Sequence, residues 1–118
     1  MKGILNATAC GAVVSLGIIL LGPRSLEAAG DPTKGKVVFE KHCLVCHGPQ
    51  GKGDGPTGKM LKPPPADFSS PASKKKSEAD LRQTIENGRP GTAMVPWKGP
   101  LSETDITDVL GYLSTLRK

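Results

Sequence analysis

This sequence has few aromatic residues: one Trp, one Tyr and two Phe in 118 residues. A surface that binds single strands by stacking needs several exposed rings, so nucleic-acid binding is not expected. It has only three Cys and two His. A disulfide-stapled scaffold needs more cysteines than that, and a structural zinc site needs four well-spaced ligands. No stretch alternates apolar and polar residues with period two, so no strands are expected. A thioredoxin-like redox disulfide would require a βαβ context, and none is present.

Two of the three cysteines stand in Cys43-Leu44-Val45-Cys46-His47. Cys-x-x-Cys-His is the attachment signature of a c-type haem. Two thiols in that register can each add across one vinyl group, giving two thioether bonds. The following imidazole then becomes an axial ligand of the iron. The third cysteine, Cys10, lies in an apolar leader.

That leader has Lys2, an apolar stretch from Ile4 to Leu21, and small residues up to Gly30. The pattern is that of a secretory signal over residues 1–29. Leu26-x-Ala28 and Ala28-x-Gly30 are the nearest approaches to a cleavage site. An uncleaved anchor formed by residues 4–21 is the alternative, at the short end for crossing a bilayer. Either way residues 30–118 form a single exported domain, periplasmic or otherwise outside the cytoplasm. A domain this small buries a limited core and often needs a staple; a covalent haem is one.

Helical periodicity organises the domain. Asp31 reads as an N-cap with Pro32 in the first turn, and the helix is expected to reach about Cys43. From Gly48 to about Lys76, glycines and the run Pro63-Pro64-Pro65 preclude regular structure for long. This segment is expected to wrap one haem edge, with Met60, Leu61 and Phe68 turned inward. Ser77 and Ser102, each followed by an acidic turn, cap two further helices. Gly88 stops the first of these. Ile106, Val109, Leu110, Leu113 and Leu116 give the last helix its apolar stripe. Gly111 inside that helix costs about 1 kcal/mol against Ala, so a close backbone approach is expected there. Arg117 and Lys118 end the chain, where the helix dipole favours cations. The fold class is all-α, with three main helices and long ordered loops.

The iron's sixth position could be filled by Met60, Met94 or His42. His42 precedes Cys43 on the same helix and is poorly placed for the far face. Met60 has the reach. Met94 sits between Pro90 and Pro96, which limit the conformations of its loop.

From Asp31 onward the chain resembles the small monohaem cytochromes c of class I. Gly35 and Phe39 look like that family's first-helix Gly and aromatic, packed across the last helix, with Tyr112 as the last-helix aromatic. Cys43, Cys46 and His47 match its haem site. Pro56 looks like the residue whose carbonyl accepts the imidazole N–H, and Met94 like the axial Met. One departure is Val95, since many relatives have Pro directly after that Met. The resemblance implies a cytochrome c fold, one covalent haem with its iron, and His47/Met94 ligation. It also implies a carrier of single electrons rather than an enzyme. Trp97 is expected to cover a haem edge or propionate, and Arg89 is a candidate propionate partner. The alternatives are a haem subunit of a larger membrane oxidoreductase, and a haem protein with a labile sixth site.

The whole chain carries +5. Residues 1–29 hold Lys2, Arg24 and Glu27, so the domain alone carries +4. Lys52, Lys59, Lys62 and Lys74-Lys75-Lys76 concentrate in the central segment. Such a patch can steer a redox partner with an acidic docking surface. A monomer is expected, with membrane contact only if the leader is retained.

Overall fold

The computed structural model describes residues 29–118, and Gly11 and Gly22 alone before them. The expected leader and anchor therefore lie outside the described residues. The chain forms α1 (Pro32–His42), α2 (Leu44–His47), a 3-10 turn (Gly58–Met60), α3 (Pro71–Lys74), α4 (Glu78–Asn87) and α5 (Glu103–Leu116). Among the described residues there is no strand, only an isolated bridge between Lys98 and Leu101.

Local chemistry sets the helix starts. The Asp31 carboxylate accepts from the Thr33 and Lys34 N–H groups, at 2.9 and 3.3 Å. Ser77 with Asp80, and Ser102 with Asp105, form complete capping boxes at α4 and α5. Each satisfies donors that a helix N-terminus otherwise leaves unpaired. α4 ends at Gly88, whose φ of 67° only glycine adopts without strain.

α1 crosses α5 at backbone contact. A Cβ on Gly35 would overlap the Asp108 carbonyl, and one on Gly111 would overlap the peptide of Gly30. The close approach expected at Gly111 is thus present, and its partner is the strand of chain leading into α1. Beside Gly35, Phe39 is 1% exposed and packs with Ile106, Val109, Leu110 and Leu113 of α5. The expected pairing of the Gly35/Phe39 face with the last helix is therefore present. α4 adds Leu81 to this core, and Arg82 of α4 donates to the Thr107 hydroxyl of α5 at 2.9 Å.

Two charged residues play parts that their sequence setting hides. Asp108 is buried within the polar flank of α5, where its Oδ1 accepts the Asp31 N–H at 2.8 Å. This bond spans the sequence from the first helix to the last and satisfies a buried carboxylate oxygen. Arg117 does not cap its own helix alone. Its guanidinium donates to the Ser73 carbonyl at 2.8 Å and to the carbonyls of Lys74 and Lys76. It thereby ties the chain end to α3. Met60, expected to point inward, is 74% exposed; Leu61 and Phe68 are the inward anchors of that loop.

Gly35→Ala forces the two helices apart, and overpacking of this kind costs about 1–3 kcal/mol. Thermal melts of the holoprotein should show the midpoint lowered by about 4–8 °C for each kcal/mol lost. A second prediction concerns acid. Asp80 and Asp105 are held below the ordinary carboxyl range, first by the hydroxyls of Ser77 and Ser102 and then by their N–H groups. A depressed folded-state value gives stability above the unfolded value of about 3.9, lost as pH falls through the folded one. The melting midpoint should therefore fall between about pH 5 and pH 2. An Asp80→Asn/Asp105→Asn double variant should melt lower at neutral pH and fall less on acidification.

Candidate functional site

α1 ends and α2 begins at Cys43, so the Cys-x-x-Cys-His register falls on a helical corner. Cys43, Cys46 and His47 line a cavity of about 380 Å3, within the range of ligand clefts. Its walls come from every main helix. Phe39, Leu81, Val109 and Leu113 are four of the buried core residues that form them, and Phe68 and Leu101 are two more. The core is thus arranged around this space rather than beside it.

The end of α2 leaves carbonyls without helical partners. The glycine-rich segment supplies the donors. Gly53 N–H reaches the His47 carbonyl at 2.8 Å, Gly55 N–H that of Cys46 at 3.2 Å, and Thr57 N–H that of Val45 at 3.0 Å. Alternate residues point their N–H groups at the motif, and a Cβ at Gly55 or Gly58 would collide with its carbonyls. The glycines are there because this loop runs in backbone contact with the attachment corner.

That path corrects one expectation. Pro56 lies between the inward donors Gly55 and Thr57, is exposed, and does not line the cavity. The carbonyl beside the imidazole is that of Ala66, 3.4 Å from His47 Nδ1. The triple-proline run delivers it, and the bond from Phe68 N–H to the Gly51 carbonyl, 2.8 Å, anchors the run's end. Phe68 then stacks on the imidazole, with ring centroids 5.0 Å apart and planes inclined by 24°. Phe39 contacts the same ring at 6.5 Å. The imidazole is therefore fixed in plane and tautomer. Nδ1–H donates to Ala66, and Nε2 keeps its lone pair for a metal.

Electrostatics suit the same chemistry. Burial lowers the His47 value, partly offset by the Ala66 carbonyl, so the ring is neutral near pH 7. Burial, with a smaller contribution from Cys46, pushes the Cys43 thiol up to about 11. Neither cysteine is in a disulfide. A thioether carries no charge, so it satisfies this apolar setting better than a thiolate would. Among the described residues no group of three or more His, Cys, Asp and Glu side chains could hold a metal ion. One imidazole nitrogen, two thiols outside any disulfide and apolar walls instead fit an iron porphyrin bound covalently.

The other expected residues divide. Met94 is half-buried and lines the cavity. Its loop is closed by the Arg89 N–H bond to the Met94 carbonyl, 2.9 Å, and by the Thr92 hydroxyl accepting the Met94 N–H at 3.2 Å. Met60 points away from the cavity. Trp97 lines it and meets the His42 ring edge-on, centroids 5.2 Å apart. Arg89 lies at the cavity too. Tyr112, the last-helix aromatic that the resemblance makes a candidate haem contact, is one layer behind the cavity. Its ring packs on Phe39 at 5.3 Å, and it does not line the cavity. Its place on the α1–α5 seam, not at the haem, explains the difference.

The cytochrome c family profile matches residues 32–117. The chain belongs to the cytochrome c family. It is 36% identical to cytochrome c2 of Rhodomicrobium vannielii, over 87% of this chain and 93% of that protein. It is 34% identical to the Cbb3-type cytochrome c oxidase subunit CcoP of Azospirillum brasilense, over 97% of this chain but only 37% of that protein. A chain of the Kuenenia stuttgartiensis reducing HAO-like protein complex has the same fold, with a TM-score of 0.66 and 28% identity. That match covers 76% of this chain and 44% of that one. Family membership carries with it one covalent c-type haem, its iron, and haem-based electron transfer.

The cavity is walled by core side chains, so removing the haem leaves the core hollow. Haem-free protein should lack a native helical circular dichroism spectrum and a cooperative melt. A folded apo form would contradict this arrangement.

Proposed function

We propose that this cytochrome is an exported single-electron carrier with His47 and Met94 as its axial ligands. The observation that carries the reading is that Met94 lines the same cavity as the attachment corner while Met60 points to solvent. A haem held by Cys43, Cys46, His47 and Met94 would supply a one-electron iron couple, and a thioether ligand beside an imidazole would raise its potential. The chain's contribution is positional. Phe68 and the Ala66 carbonyl hold the imidazole, the Thr92 and Arg89 contacts hold the Met94 loop, and the apolar walls exclude water. Little then has to move when an electron arrives or leaves.

Proteins that only relay electrons meet their partners briefly. Lys52, Lys59, Lys62, Lys74, Lys75 and Lys76 are all exposed, and their charge favours an acidic partner surface. The leader is read as a cleaved secretory signal and the mature protein as a periplasmic monomer. Among the described residues no helix is long and apolar enough to cross a membrane. A second reading, a haem subunit of a larger oxidoreductase, is favoured by the similarity to CcoP; co-purification with a membrane complex would support it.

Carbon monoxide decides the sixth position. The ferrous wild type and Met60→Ala should bind it slowly at neutral pH, and Met94→Ala should bind it fast. Fast binding by the wild type would overturn the ligand assignment and favour a labile site. Electron-transfer rates with an acidic redox protein should fall about tenfold or more as salt rises from about 0.01 M to about 1 M. A flat response would overturn the steering proposal.

A further inference from the structure

The structure assigns the processing site of this chain: we infer that the leader is cut between Ala28 and Ala29, so that Gly30 stays in the mature protein. The inference rests on the exported reading above. Water is added across the Ala28–Ala29 peptide bond by an endopeptidase of the export route. A carboxylate remains on Ala28 and an ammonium on Ala29.

The observations lie on the described side of that bond. Gly30 is built into the fold. A Cβ on it would overlap the Thr107 carbonyl, and its own carbonyl presses so closely on α5 that Gly111 has no room for a side chain either. Gly111 leaves the space that the Gly30 backbone fills, and Gly30 leaves the space that the Thr107 and Asp108 backbone fills. The glycine in the middle of α5 is accounted for by this contact, and the contact exists only if residue 30 is retained. The next peptide group adds a second tie, since the Asp31 N–H donates to buried Asp108. Ala29, one residue earlier, is exposed.

Of the two cleavage patterns in the leader, Ala28-x-Gly30 matches the small-x-small preference better, but cutting there removes Gly30. Leu26-x-Ala28 keeps it. A cut after Ala29 also keeps it, but places charged Glu27 where the peptidase takes a small or apolar side chain. The α-ammonium produced at Ala29 would sit at a shallow cavity that Ala29 and Gly30 line together with Arg82, Glu103 and Asp108. Glu103 and Asp108 put acidic side chains on that wall, beside Arg82.

The test is the intact mass and N-terminal sequence of holoprotein exported with its own leader. The expected first residue is Ala29. A first residue of Gly30, Asp31 or later, or a retained leader, overturns the inference. A second form, exported behind a leader engineered to end so that the chain starts at Asp31, tests the contact itself. It should melt several degrees below the Ala29 form while keeping the same haem spectrum, and an equal midpoint overturns the role given to Gly30. The optical spectrum and potential are read on the same samples. A displaced cut with an unchanged spectrum and potential refutes the processing site without touching the electron-carrier reading.

Discussion

Everything in this fold depends on a flat apolar group being fixed to Cys43 and Cys46. Six of the residues that form the buried core, Phe39, Phe68, Leu81, Leu101, Val109 and Leu113, also wall the cavity beside those thiols. A chain of this length has little apolar surface to spare. Here that surface is turned toward a cofactor rather than closed on itself. Stability and function therefore rest on the same contacts. The group that carries the electron is also the centre of the core, and the helices are positioned by what they must surround.

The backbone does much of the positioning. α1 and the residues leading into it touch α5 where Gly35 and Gly111 leave room, and Asp108 joins the start of α1 to α5 by one part-buried hydrogen bond. The glycine-rich segment is ordered by its N–H groups, which close the open end of α2 beneath the haem motif. Beyond it the proline run carries Ala66 and Phe68 to the imidazole. Arg117 then binds the carbonyls of α3, so the far end of the chain holds the cavity's loop wall in place. These contacts place the imidazole and the Met94 loop before any electron moves, the kind of preorganisation that a carrier needs.

Features with their own side-chain chemistry were legible in the sequence. The Cys-x-x-Cys-His spacing has few chemical meanings. The serine caps, the helical apolar stripe and the Gly35/Phe39 face each follow from local rules, and the structure contains all of them. Met94, set between prolines, lines the cavity. What escaped was carried by main-chain atoms. The acceptor beside His47 is a carbonyl, which any residue possesses, so nothing distinguishes Ala66 in the sequence; the resemblance pointed to Pro56 instead. Phe68 offers a better clue, as the first aromatic after the proline run. Nothing in the local sequence marks the bonds of Asp108 and Arg117, because their partners lie 77 and about 44 residues away. Tyr112 lies one layer behind the cavity because its ring packs on Phe39 across the α1–α5 seam, a partner that its own helix does not reveal.

The most direct test is mass spectrometry of the peptide spanning residues 43 to 47, released by proteolysis from denatured exported protein. The account requires that this peptide carry the mass of one haem added to its two cysteines, with no loss of colour on denaturation. A peptide of bare mass, with both thiols free to alkylate, would contradict it.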